Sequence, residues 1–153
     1  MLRVIIAGLL GCVLFATPAP SQTPSTTVND QAARRMLLGA HLFSMQWVSW
    51  DRFGRATVTE RGGVLSIKGE QRDAKEGNFV TIDGVITRVD AKEFSFRGRI
   101  VTRVTYINGG NECVRDGEFT FAIKANRKYW RLQQMDNPCE AVTDYVDVYF
   151  RAR

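Results

Sequence analysis

Phe94-Ser95-Phe96-Arg97-Gly98-Arg99-Ile100-Val101-Thr102-Arg103-Val104-Thr105-Tyr106 alternates almost from end to end. Phe94, Phe96, Ile100, Val104 and Tyr106 share one face, with Gly98 and Thr102 between them. Ser95, Arg97, Arg99, Arg103 and Thr105 share the other, and only Val101 departs from the pattern. Successive side chains on a strand point to opposite faces, so the stretch is a long strand with one buried and one wet face. A strand with a core on one side belongs in an antiparallel sheet.

The segments on either side carry the same texture. Upstream, residues 42–50, 55–60, 64–71 and 79–89 read as strands; downstream, 113–125, 128–135 and 142–151 do. Arg61-Gly62-Gly63, Asp90-Ala91-Lys92, Asn108-Gly109-Gly110-Asn111, Asn126-Arg127 and Asp136-Asn137-Pro138 supply the turns. In 79–89, Val80 and Ile82 have one parity and Val85 and Val89 the other, so a bulge at Gly84 is expected to bring all four inside. Asn29 or Asp30 caps a short helix over 31–38, which Gly39 ends and whose Met36 and Leu37 plug one end of the sheet. The fold class is therefore all-β: an antiparallel meander of about eight strands, favoured to close into a barrel over folding as a sandwich. Gly84, Gly98 and Gly117 lie inside three successive strands, where they allow the bends that closure needs.

A short N-terminal helix, a first strand bearing Trp47 and an eight-strand meander resemble the calycin group, the lipocalins and their relatives, over residues 29–153. Where lipocalins carry Gly-x-Trp on that strand, this chain has Met45 two residues before Trp47. The resemblance implies a lipocalin-like barrel whose interior takes a small apolar ligand.

Residues 1–21 read as a signal peptide: Arg3 gives a positive start, 4–16 is an apolar run too short to span a bilayer, and Ala19-Pro20-Ser21 suits cleavage after Ser21. Cleavage after Ala16 is the alternative, and Leu9-Leu10-Gly11-Cys12 also fits a lipobox that would anchor the chain through Cys12. Residues 22–28 read as a flexible leader and 29–153 as one domain. No later stretch suits a membrane helix. The expected location is the periplasm or the extracellular space. Two cysteines remain after cleavage, Cys113 and Cys139, and in an oxidising compartment they are expected to pair.

The formal charge of +5 falls to about +4 when Arg3 is removed, a balance that permits an anionic partner without demanding one. Nucleic acid is not expected as a partner. The single histidine, His41, stands without a nucleophile motif, and no phosphate loop or metal-helix motif occurs, so the residues name no reaction and no catalytic group. Cofactors and metals are not expected: two cysteines lack a histidine pair for zinc, and Asp144 and Asp147 differ in parity, which prevents their converging on calcium.

Two surfaces are candidates for binding. Trp47, Trp50, Phe94, Phe96, Tyr106, Phe119, Phe121 and Trp130 make an aromatic interior that either fills the barrel or lines a ligand cavity. A bend near Val48 is needed to bury both Trp47 and Trp50; otherwise one of them is an exposed contact. Arg97, Arg99 and Arg103, extended by Arg88 and Arg115, form an outer stripe for an anion or a protein, unless Asp116 and Glu118 neutralise it. The leading expectation is an exported β-barrel that binds a small apolar or amphipathic molecule. Its rival is an envelope module that binds a protein, such as an inhibitor of a secreted or wall-active enzyme.

Overall fold

The computed structural model describes residues 24–151; the predicted signal peptide lies outside them. Its elements in chain order are β1 (Thr27–Val28), α1 (Gln31–Leu37), β2 (Gly39–Met45), β3 (Gly54–Arg61), β4 (Val64–Arg72), β5 (Phe79–Val89), β6 (Glu93–Arg103), β7 (Cys113–Ala122), β8 (Tyr129–Leu132) and β9 (Val146–Arg151). β2 to β9 pair in sequence order, each antiparallel to the next, and β9 pairs back on β2. The result is a closed eight-stranded barrel, as the meander implied. No helix among the described residues is long and apolar enough to cross a membrane.

The organising strand is β6, whose Phe94, Phe96 and Ile100 are completely buried. Its two neighbours meet it along one row of glycines, Gly84↔Gly98 and Gly98↔Gly117. The row allows a close approach of backbones. A Cβ on Gly98 would stand 2.3 Å from the Asp83 carbonyl oxygen and 2.7 Å from the Gly84 Cα, and the Phe96 ring covers the gap at 2.8 Å. Here the barrel wall bends around an aromatic ring instead of being held apart by side chains.

The bulge expected at Gly84 lies two residues later, between Ile86 and Arg88. Gly84 keeps regular pairing with Ile67 and Gly98, so Ile86, not Val85, takes the next inward place, and the extra residue restores Val89 to the core. The bulge falls just past the start of β4, whose Leu65 pairs with Ile86. There β1 takes over, pairing in parallel with Arg88 and Val89. Residues 26–28, expected in a flexible leader, are thus stitched to the barrel. Thr26 Oγ1 donates to the Ile86 carbonyl at 2.6 Å and accepts the Leu65 N–H at 2.8 Å.

Asp30 caps α1 by accepting the Ala33 N–H at 2.7 Å, and Gly39, at φ 107°, follows its end. Ala33 and Leu37 are buried against the barrel, with Met36 partly covered. His41 bolts the helix to the closing strand. Its Nε2 lies 2.6 Å from the Leu37 carbonyl oxygen and its Nδ1 2.7 Å from that of Tyr149. His41 has no exposed surface.

Five of the expected strands are shorter than their alternation suggested; β6 and β7 stop at Arg103 and Ala122. The first ends at Met45 because the chain turns, the Val48 N–H donating back to the Met45 carbonyl. The seventh is only Tyr129–Leu132, and the last begins at Val146. Between those two, Asn137 Oδ1 accepts the Cys139 N–H at 2.8 Å, and Asp136 bridges to Thr143, so 133–145 is a loop lying over the barrel.

Cys113 and Cys139 are joined as expected, tying the start of β7 to that loop. The bond suits an oxidising compartment. Closing a loop of 26 residues is worth about 3.5 kcal/mol in the chain-entropy model. Replacing both cysteines by serine should lower the unfolding free energy by about that amount, and dithiothreitol should then shift the melting temperature of the wild-type chain but not of the variant.

Candidate partner-binding face

The inward aromatics pack against one another inside the barrel. Trp130 is 1% exposed, and its indole meets Phe150 at 4.7 Å, Phe94 at 5.9 Å and His41 at 5.9 Å between ring centroids. Phe94 stacks on Phe121 at 5.0 Å, and Phe96 meets Phe121 at 6.2 Å and Phe119 at 6.1 Å. Phe43 and Met45 from β2 close the centre. Of the eight aromatics singled out, Phe94, Phe96, Phe121 and Trp130 are therefore core, with Phe119 and Trp47 packed at its margin.

Trp50 and Tyr106 lie elsewhere. The bend near Val48 exists and buries Val48 itself, but Trp50 remains 67% exposed. Tyr106 is 62% exposed, because β6 ends at Arg103 and the following turn sends Val104 and Ile107 inward instead. Trp47 Nε1 donates to the Thr143 carbonyl at 3.1 Å, and the Gln46 amide ties the same loop, donating to the Thr143 carbonyl and accepting the Tyr145 N–H, each at 2.7 Å. These bonds hold Trp50 beside Val142 and Tyr145 in one surface depression.

From that depression an aromatic and cationic ladder runs across the outer side of β8 and β9. The Arg131 guanidinium lies over the Tyr145 ring at 4.2 Å and against Tyr129 at 5.1 Å. Asp147 fixes it with two bonds of 2.7 Å, which also raise the pKa of Arg131 above its ordinary value. Tyr129 contacts Tyr149 at 5.1 Å, and Phe53 stacks on Tyr149 at 4.9 Å. Burial pushes the Tyr149 phenol up, against the hydrogen bond it shares with Ser44. Phe53 and Tyr145 are each 36% exposed. Sequence reasoning assigned no role to Phe53, Tyr129, Arg131, Tyr145 or Tyr149. The available signal was large aromatics at outward parity on the last strand, where Tyr145 and Tyr149 alternate with buried Val146 and Val148.

The arginine stripe is matched by carboxylates. Arg97 pairs with Glu118, Arg99 with Asp116 at 3.7 Å, and Arg88 with Asp90 at 2.9 Å and Glu93 at 3.3 Å. Arg103 donates to the carbonyls of Gly110 and Gly77. Arg115 is not in the stripe. It shares the parity of Phe119 and Phe121, points inward and pairs with Asp144, the two side chains being 4% and 0% exposed. Arg115 also donates to the Gln134 carbonyl, and Asn137 donates to Asp144 Oδ2 at 2.9 Å. Arg115 Nε and Asp144 Oδ1 remain buried without a protein partner. Asp147 faces outward, as its opposite parity required.

A family model named PM1083 family matches residues 25–150. The chain is 40% identical over 149 residues to a Pasteurella multocida (strain Pm70) protein named Uncharacterized protein PM1083, covering 97% of this chain and 96% of that one. No solved structure matches, so the likeness to lipocalins stays at strand order and closure. The matched span starts where the barrel starts, at the Thr26 stitch, and runs through the disulfide loop into β9, so the whole barrel is the unit of similarity: the chain belongs to the PM1083 family.

Proposed function

We propose that this chain is an exported protein-binding module of the cell envelope, in which the filled, disulfide-pinned barrel is a scaffold and the Trp50–Tyr145–Arg131 face is the contact. The observation that carries this reading is the division of the aromatics. Those inside are packed against one another, while Trp50, Tyr145 and Phe53 lie exposed around a stacked arginine. Tryptophan, tyrosine and arginine are the residues that dominate binding energy at protein interfaces, and Arg131 is pre-set by Asp147, so little side-chain freedom is lost on contact. The leader and the disulfide support export. A calycin-like barrel with a small apolar ligand is the weaker reading, because the inward positions are taken by Trp130, Phe43, Phe94, Phe96 and Phe121.

The test is photo-crosslinking in cells, with benzoylphenylalanine placed at Tyr145 or, on the far side of the barrel, at exposed Lys68. A discrete protein adduct from Tyr145 and none from Lys68 is expected, and Trp50→Ala should reduce it tenfold or more. Equal adducts from both positions, or none, would overturn the reading. Native mass spectrometry of the gently purified protein decides the other: added mass that leaves on mild activation would restore the barrel ligand.

A further inference from the structure

β7 pairs with β6 along its whole length, from Thr102↔Cys113 to Glu93↔Ala122, but β8 reaches only Phe121 and Ala122. One residue further back, Thr120 is served by the chain after β8. Its carbonyl accepts the Gln133 N–H at 2.8 Å, and its N–H donates to Gln134 Oε1 at 3.0 Å. Both backbone groups of Thr120 therefore point away from β6. Residues along an antiparallel strand alternate in which neighbour they bond, so Glu118, Asp116 and Val114 turn theirs the same way. Among the described residues nothing takes up those three N–H and three C=O groups. Arg115 binds the loop through its side chain and the disulfide ties it at Cys113, yet beyond Gln133 the loop backbone does not pair with the strand. A shallow groove lined by Val114, Asp116, Phe119, Gln134 and Pro138 runs beside it. The barrel is thus closed in outline but carries one unpaired edge.

Such an edge is a template for another strand. The residues whose backbone is unpaired are also those whose side chains face out: Val114 is 43% exposed, and the side chains of Asp116 and Glu118 are 70% and 63% exposed. A like copy of β7 would set carboxylates against carboxylates, which disfavours a second copy of this chain. We propose that residues 114–118 are a strand-addition site that receives an extended peptide of a partner protein. That peptide carries basic residues at two alternate positions, against Glu118 and Asp116, whose exposed carboxylates pair with Arg97 and Arg99 of β6 on their other side, and an aliphatic residue two further on, against Val114. The site is on a different strand from the aromatic face and stands whether or not that face binds.

The probe is a fluorescent acetyl-Thr-Lys-Thr-Lys-Thr-Val-Thr-amide, titrated by anisotropy into the purified chain. Saturable binding is expected. It should weaken tenfold or more when glutamate replaces both lysines, and equally when the peptide amides facing β7 are N-methylated. Asp116→Pro removes one unpaired donor at an edge position that tolerates proline, so it should fold, as circular dichroism would show, and lose the peptide. Should that variant fail to fold, Asp116→Lys serves, with the glutamate peptide now favoured. Absence of saturable binding would overturn the proposal, as would undiminished binding of the N-methylated peptide, which would mean charge attraction alone. A dimer in sedimentation velocity that Asp116→Pro dissolves would assign the edge to a second copy and also overturn it.

Discussion

Replacing Asp144 by alanine should lower the unfolding free energy by about 3–5 kcal/mol, measured by urea denaturation. Asp144 has no exposed surface, and its partner Arg115 has almost none. Removing the carboxylate leaves a buried guanidinium whose Nε already lacks a protein partner. It also releases the Asn137 amide, which shapes the loop that carries Cys139. The penalty is that of an orphaned charge, not the worth of the pair, so Arg115→Met combined with Asp144→Leu should recover much of the loss. A cost below about 1 kcal/mol for the single change would mean that water reaches the site and screens the charge.

The same residue sets a pH dependence whose sign follows from its burial. Desolvation pushes Asp144 above the usual carboxyl value of 3.8, against the opposing pull of Arg115, Asn137 and Trp47. The folded chain therefore holds this proton more tightly than the unfolded chain. Asp144's contribution to stability is greatest below pH 3.8 and declines as pH rises through its folded pKa. Subtracting the unfolding free energy of Asp144→Asn from that of the wild type across the acid range isolates this contribution, and the difference should fall with rising pH. A difference that rises would show that the guanidinium outweighs burial.

Trp130→Ala should cost about 3–5 kcal/mol, again by urea denaturation. The indole is the largest buried side chain and joins β8 to rings on β6 and β9 and to His41. Its neighbours are themselves aromatic or clamped, so they have little freedom to collapse into the space, and the cost is that of a cavity as well as of lost transfer. The apolar hole should bind indole, raising the melting temperature of the variant and leaving that of the wild type unchanged. An equal rise in both would mean that the wild-type barrel already holds space for a ligand.

These two residues mark where alternation can and cannot be read. Trp130 is inward in the strand 128–135, and its burial follows from period two. Arg115 follows from the same rule, since Phe119 and Phe121 lie four and six residues on; grouping it with the outer stripe overlooked a signal that was present. Asp144 follows from no rule of this kind. It belongs to a loop whose path depends on the disulfide, the Asp136–Thr143 bridge and the Gln46 amide, all reaching across the chain.

The sequence by itself determined the all-β meander, the bounds of β5, a short helix capped at Asn29 or Asp30 and the pairing of Cys113 with Cys139, because parity, capping and cysteine count are local or compositional properties. Tertiary structure alone decided that the barrel closes through β9 on β2 and that β8 stops at Leu132. It also decided that Trp50 and Tyr106 turn outward and that β7 keeps an unpaired edge. Each of these depends on which distant backbone groups find partners, and a strand's period is the same whether its neighbour is ten residues long or four.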